Sequence, residues 1–144
     1  MKIIALRLRG RVDVPERIER TLTQLGLKKK FSCTVIEDKP ELKGMIKKVK
    51  SYIAFGSMEE ETLKQLLLKR AKKGRKRADL DEKQIDAFVK DFMQGKAGFD
   101  KIEINKTFAL HPARGGFKKS LKLEYPQGLL GKNKEINKLI LKML

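Results

Sequence analysis

The chain has 144 residues and carries 35 Lys and Arg against 18 Asp and Glu, so its formal net charge is +17. A compact body with this excess repels itself, which predicts a polyanionic partner, either nucleic acid or an anionic membrane surface. Because 40% of the residues are hydrophobic, the composition excludes a disordered chain, and a single cysteine excludes an intrachain disulfide.

The excess charge lies toward the two ends of the sequence. Residues 1–56 have a net charge of +8, residues 57–94 of +2 and residues 95–144 of +7. Heat adaptation enriches Glu together with Lys, so it does not explain this imbalance. We therefore expect nucleic acid as the partner. We expect no membrane, since no apolar run approaches the length of a span and no helix pairs a wide apolar face with a basic face that is free of core packing. The apolar start is too short for a signal peptide, which predicts a cytoplasmic protein.

The first predicted element is a strand over residues 2–9. Leu6 and Leu8 point one way and Arg7 and Arg9 point the other way. This alternation is typical of a half-buried strand, here with a basic outer face.

The pattern that follows the first strand occurs twice. Asp13 and Asp38 each stand two residues before a proline that is followed by Glu, which predicts two capped helix starts. Residues 32–37 and 52–55 have the composition of a second and a third strand. If the second strand pairs beside the first through a helical crossover, that crossover should be right-handed.

The remaining residues predict further helices and irregular strands. A capping pattern at Ser57 begins a helix to about residue 70, Asp81 begins another, residues 99–125 are strand-like, and a helix closes the chain. We predict an α+β fold in which residues 1–56 form a β-α-β-α-β core, a three-stranded sheet with two helices on one face, ferredoxin-like in style. Residues 57–144 form a mixed, helix-containing extension packed on this core as one structural unit.

Three basic segments within residues 7–77 are candidates for RNA contact through phosphate groups. Alternate arginines would share one strand face, three lysines form a turn, and a longer run is broken by Gly74. Cations that neutralise phosphates release counterions, so binding would be salt-dependent. A polar turn or a solvated charged loop is the alternative interpretation. The candidates are Arg7, Arg9, Arg11, Lys28, Lys29, Lys30, Lys69, Arg70, Lys72, Lys73, Arg75, Lys76 and Arg77.

A turn at residues 111–116 is the most informative stretch. Gly115 and Gly116 let the backbone approach a phosphate closely, and Arg114 can fork onto a phosphate or a guanine edge. His111 can stack on an unpaired base. An ordinary tight turn is the alternative. Basic candidates that follow this turn are Lys118 and Lys119.

The patterns for catalysis and for small ligands are weak. Residues 128–133 resemble a phosphate-binding loop, but the glycine spacing is wrong and Asn133 stands where Ser or Thr should ligate magnesium. One cysteine and one histidine cannot build a Cys/His zinc site. We expect no enzyme activity, no metal, no cofactor and no small-molecule substrate. With 7 Phe, 2 Tyr and no Trp, we expect recognition of phosphates and RNA shape rather than an aromatic stacking platform.

Three stretches carry a resemblance to a known family. They are DKPELKGMIKKV at residues 38–49, LHPARGG at 110–116, and GLLGK at 128–132 followed by INKLI at 136–140. With the matching order of elements, the chain resembles the archaeal and eukaryotic form of large-subunit ribosomal protein thirty over essentially its whole length. The length is typical of the archaeal form, since eukaryotic relatives carry a long basic N-terminal extension.

The resemblance implies a structural role in the large ribosomal subunit. It implies binding to large-subunit rRNA close to the 5S rRNA and the base of the central protuberance, beside neighbouring ribosomal proteins. It implies RNA contact by His111, Arg114, Gly115 and Gly116, with Lys132 also near RNA.

Two other functions stay open at this point. A free nucleic-acid-binding regulator would bind RNA or DNA outside the ribosome. An RNA-processing enzyme that uses His111 would need a carboxylate or a second base within hydrogen-bond reach of that ring.

Overall fold

The structure is a computed structural model that describes residues 2–96 and 98–144. Eight strands and five helices are assigned in these ranges, with a 3-10 turn at Phe99–Ile102. The strands are β1 Lys2–Arg7, β2 Ser32–Glu37, β3 Ile53–Ser57, β4 Lys72–Lys73, β5 Lys76–Arg77, β6 Thr107–Ala109, β7 Ser120–Glu124 and β8 Gly128–Lys132. The helices are α1 Glu16–Gln24, α2 Pro40–Val49, α3 Glu60–Arg70, α4 Glu82–Met93 and α5 Ile136–Met143.

Six of the strands form one sheet in the order β6-β2-β1-β3-β8-β7, and β4 pairs with β5 in a separate hairpin. The predicted β-α-β-α-β order of the first part is confirmed. The right-handed crossover between the first two strands does not apply, because β1 runs antiparallel to β2, with Leu6 opposite Cys33. β1 is also antiparallel to β3, so β2 and β3 run parallel to each other on either side of it.

The later strands widen the three-stranded sheet at both edges. β6 pairs antiparallel with β2, and β8 pairs parallel with β3. β7 lies outside β8 with an irregular register. The division at residue 56 stays a prediction; the strands on either side of it share one sheet.

Helices cover both faces of this sheet. On one face α1 and α2 pack through Leu22 and Ile46 against Ala5 of β1. On the other face the later helices pack through Leu66 and Phe88 into the cluster that contains Leu6. The predicted two helices on one face of the core are therefore present, and the extension covers the opposite face.

The predicted capping interactions are wrong. The residue before α1 is Pro15 and the residue before α2 is Lys39, and neither helix has a side-chain cap hydrogen bond within the described ranges. Asp38 instead forms an ion pair with Lys43 at 2.7 Å. Ser57 ends β3, and α3 begins only at Glu60.

Candidate nucleic-acid interface

The prediction that Arg7 lies on an exposed outer face of the first strand is wrong. Its side chain is completely buried, although Arg7 points away from Leu6 as expected. The guanidinium donates to the backbone oxygens of Arg9 at 2.8 Å, Leu27 at 2.8 Å and Lys28 at 3.2 Å. It also pairs with the Glu19 carboxylate at 3.0 Å. Because α1 covers this face of β1, both faces of the strand are buried. The Arg7 guanidinium therefore makes its contacts inside the protein.

Arg9 and Arg11 lie beyond the end of β1 and are exposed. The Arg9 guanidinium lies 5.1 Å from the centre of the Tyr52 ring, a cation–π distance. Arg11 donates through Nε to the Lys28 backbone oxygen at 2.9 Å. The segment after β1 is thereby tied to the turn at residues 28–30.

The turn at residues 28–30 presents three exposed lysines. Two hydrogen bonds to Arg7 hold the ends of this turn. The Lys28 backbone oxygen accepts a hydrogen bond from the Arg7 guanidinium, and the amide of Phe31 donates to the Arg7 backbone oxygen at 2.7 Å. The three ammonium groups make no ion pair with any described residue. Their charge is therefore available to an outside anion.

The turn at residues 111–116 is fixed to the end of α5 by its backbone. The amide of His111 donates to the Met143 oxygen at 3.0 Å, and the amide of Arg114 donates to the Lys142 oxygen at 3.1 Å. The side chains of His111 and Arg114 are exposed. His111 makes no ion pair within the described residues. The carboxylate partner that a catalytic His111 would use is therefore not found among them.

Gly115 and Gly116 have φ values of 77° and 80°, in the left-handed region that favours glycine. A Cβ at either position would meet nothing within 4 Å. The two glycines are therefore required by backbone conformation and leave an open, exposed approach to the peptide groups.

An aromatic contact joins the two turns. The rings of Phe31 and Phe117 stack with centroids 5.8 Å apart, and Lys30 Nζ lies 5.1 Å from the Phe31 centroid. The amide of Leu110 donates to the Phe31 oxygen at 3.1 Å. No local pattern predicts this contact, because it joins residues that are far apart in the chain. We call the resulting surface the turn face; its cations are Arg9, Arg11, Lys28, Lys29, Lys30, Arg114 and Lys118, with His111 beside them.

Lys119 differs from its exposed neighbour Lys118. It lies 3.5 Å from a Glu135 carboxylate oxygen and 4.8 Å from the centre of the Tyr125 ring. Part of its charge is therefore compensated inside the chain.

The basic run at residues 69–77 is not a loop. Lys69 and Arg70 end α3, and the cations after them form the hairpin of β4 and β5 around Gly74. The Asn105 side chain donates to the Gly74 oxygen at 2.8 Å. An ion pair with Lys73 lowers the pKa of Glu103. The exposed members are Lys69, Lys72, Lys73, Arg75, Lys76 and Arg77, whereas Arg70 is half-buried.

Lys132 ends β8, which lies two strands from β1 in the sheet. It is the register partner of Phe55, whose own partner on β1 is Ala5. It lines a depression together with Lys43 and Lys47 of α2. The sequence reasoning missed these two lysines as possible ligand contacts, because they belong to the polar face of an ordinary amphipathic helix.

Two further features bear on the class of the protein. Within residues 2–96 and 98–144, no three His, Cys, Asp or Glu side chains come together as a metal site would require. None of the helices in those ranges has the length and apolar character needed to cross a membrane.

The comparisons with known proteins agree on one family. Residues 3–53 match the family model described as ribosomal protein L30p/L7e. A protein of Archaeoglobus fulgidus, named large ribosomal subunit protein uL30, is 40% identical over 96% of this chain and 97% of its own length. Proteins of the same name from Staphylothermus marinus and Cenarchaeum symbiosum are each 38% identical, over 96% and 98% of this chain and 96% and 97% of their own lengths.

Proposed function

Because the chain belongs to the family of the large ribosomal subunit protein uL30, we propose that it binds large-subunit rRNA through the turn face. The observation that carries this proposal is the Phe31–Phe117 stack, which joins two basic turns that are about 80 residues apart. The stack holds the two turns against each other, so we expect their exposed cations to bind RNA together.

The family membership confirms the predicted resemblance and the structural role in the large ribosomal subunit. It also confirms that the chain is not an enzyme but a ribosomal component of the cytoplasm. The free regulator and the RNA-processing enzyme are therefore set aside as functions of this chain.

We propose that binding combines the release of counterions from RNA phosphates with recognition of the shape of a folded RNA. The exposed cations of the turn face replace the counterions of several phosphates, which gives affinity but no sequence preference. The backbone at Gly115 and Gly116 allows close approach, and Arg114 can read a base edge or clamp a phosphate. Such contacts suit a folded RNA that presents backbones and a few unpaired bases.

The basic hairpin of β4 and β5 is a second proposed contact. Its support is electrostatic: Lys72, Arg75, Lys76 and Arg77 are exposed and make no ion pair among the described residues, whereas Lys73 is partly compensated by Glu103. The same chain would partner neighbouring ribosomal proteins. The position beside the 5S rRNA at the base of the central protuberance is proposed from the family resemblance alone.

The test is sedimentation of the tagged protein from a cell lysate through sucrose gradients at moderate and at high salt. We expect co-migration with large subunits at moderate salt and partial release at high salt, because phosphate contacts weaken as salt rises. Cross-linking in the co-migrating fraction should then map residues 28–31 and 111–118 to rRNA. Migration only at the top of the gradient would contradict the proposal.

A further inference from the structure

A depression of about 340 Å³ lies between α2 and the strands β3 and β8. Ile3, Ile46 and Phe55 give it apolar walls, and Lys43, Lys47 and Lys132 stand around it. It exists because β8 widens the sheet beyond the strands that α2 covers, so a step forms beside the helix. This volume falls near the lower end of about 300–1,000 Å³ for ligand pockets.

The charge around the depression is positive. Asp38 is also a lining residue, but it is paired with Lys43 at 2.7 Å. Lys47 and Lys132 are exposed and make no ion pair in the part of the chain that the structure describes. Two uncompensated ammonium groups therefore flank the depression, one on the helix and one on the strand.

An aromatic ring lines the same depression as these cations. Phe55 is half-buried, and Lys132 is its register partner on β8, so the two side chains stand on the same face of the sheet. A ring flanked by ammonium groups is the chemistry that takes a stacked base and its phosphates. One ring is no platform for several bases, but it is sufficient for a single nucleotide.

We propose that this depression binds one unpaired nucleotide of RNA, with its base against Phe55 and its phosphates at Lys47 and Lys132. The inference rests on the proposed rRNA binding and adds a second site to it. The depression lies level with residues 3–5 of β1, whereas the cations of the turn face begin at Arg9, beyond the end of that strand. The protein would thus contact RNA at two separate places, the turn face and this depression.

The decisive measurement is binding of a large-subunit rRNA transcript as a function of salt. The double substitution Lys47→Met with Lys132→Met removes two cations, and Lys83→Met with Lys90→Met on α4 is the control with the same change in charge. Each phosphate contact to an unpaired strand contributes about 0.7 to the slope of log affinity against log salt. We expect the first pair to reduce the slope by roughly 1.4 and the control pair to leave it nearly unchanged.

Phe55→Leu tests the stacking contact separately. It keeps apolar volume in the depression, and we expect a loss of affinity of at least about fivefold with an unchanged salt slope, since stacking releases no counterions. Because both lysines are exposed, the lysine pair keeps the inference testable even if the Phe55 variant folds poorly. Equal slopes for the two lysine pairs, with tight wild-type binding, would overturn this inference and leave the proposed function standing. Absence of wild-type binding to the transcript would overturn both.

A calorimetric titration with uridine monophosphate distinguishes a nucleotide within RNA from a free one. A single base and phosphate held by flexible lysines should not saturate the site at millimolar concentration. Saturation in the micromolar range would assign the depression to free nucleotides and overturn its assignment to RNA.

Discussion

The guanidinium of Arg7 donates a 3.0 Å hydrogen bond to the carboxylate of Glu19 directly beneath the segments that carry the turn-face cations. The same guanidinium holds the backbone of residues 27 and 28. Arg7 therefore shapes the interface from inside, whereas Arg9, two residues later, is exposed on it.

Substitution of Arg7 should mainly lower the stability of the fold, whereas substitution of Arg9 should mainly weaken rRNA binding. Arg7→Met breaks a partly buried ion pair and leaves several carbonyl oxygens without a donor, so we expect it to lower the free energy of unfolding by about 3–5 kcal/mol. Arg9→Met should lower it by at most about 1 kcal/mol, the value of an exposed cation–π contact, but should weaken rRNA binding. Urea denaturation and filter binding measure the two effects. Equal stability of the two variants would contradict the role assigned to Arg7.

The Arg7–Glu19 pair should make stability depend on pH in the acidic range. The hydrogen bond from Arg7 lowers the pKa of the Glu19 carboxyl, so the ionised form is favoured in the folded state. Its contribution is present above the usual carboxyl pKa of about 4.3 and is lost as the pH falls through the lower folded-state value.

Glu19→Gln should remove this pH-dependent contribution. We expect the variant to be less stable than the wild type by about 1–3 kcal/mol at neutral pH, with the difference shrinking below a pH of about 4. Denaturation curves across this range test the sign, and a difference that is constant with pH would exclude the ion pair as its source.

Arg114 should contribute directly to RNA binding. Arg114→Ala keeps the amide that donates to Lys142, so the turn should retain its shape. We expect rRNA affinity to fall by about 1–3 kcal/mol if the guanidinium is bidentate to a base. Lys83→Ala on α4 is the matched control, since Lys83 is exposed in the nearly neutral middle of the chain. Unchanged affinity of a folded Arg114 variant would remove this residue from the interface.

Phe117 should act on binding through the alignment of the two turns. Phe117→Ala removes the stack with Phe31, and ordering the turns on RNA should then cost about 0.5–1.5 kcal/mol of affinity. Phe117→Leu keeps apolar contact and should lose less. If both variants bind rRNA like the wild type, the turns act independently.

Gly56 and Gly44 form a test of the junction between the core and the extension. A Cβ at Gly56 would lie 2.6 Å from the Asn133 backbone oxygen. The backbone of Asn133 is held in place because its N–H donates a hydrogen bond to the Phe55 backbone oxygen. We expect Gly56→Ala to destabilise the fold by about 1–3 kcal/mol. Gly44 lies within α2 with nothing within 4 Å of a Cβ, so Gly44→Ala should stabilise by about 0.5–1 kcal/mol. Guanidinium unfolding measures both, and a neutral Gly56→Ala would show that the extension is not held tightly there.

Local patterns were sufficient for the order of the elements and for much of the candidate interface. Hydrophobic spacing along the chain identified β1 to β3 and the helices, because burial on one face imposes a period that neighbouring residues display. The excess of cations and the glycine pair at residues 115 and 116 pointed to phosphate contact, because charge and backbone freedom are properties of the residues themselves.

Long-range packing decided the rest. Alternation places Arg7 on the face opposite Leu6, and that face becomes an interior because α1 and α2 cover it and Glu19 pairs with Arg7. Phe31 meets Phe117, and Lys132 joins Lys43 and Lys47, only because β6 and β8 of the extension pair with the strands of the core. Strand partners and covered faces depend on residues that are distant in the chain, so no local period records them. The folded arrangement therefore separates the exposed cations that we propose as RNA contacts from the buried side chains that support them.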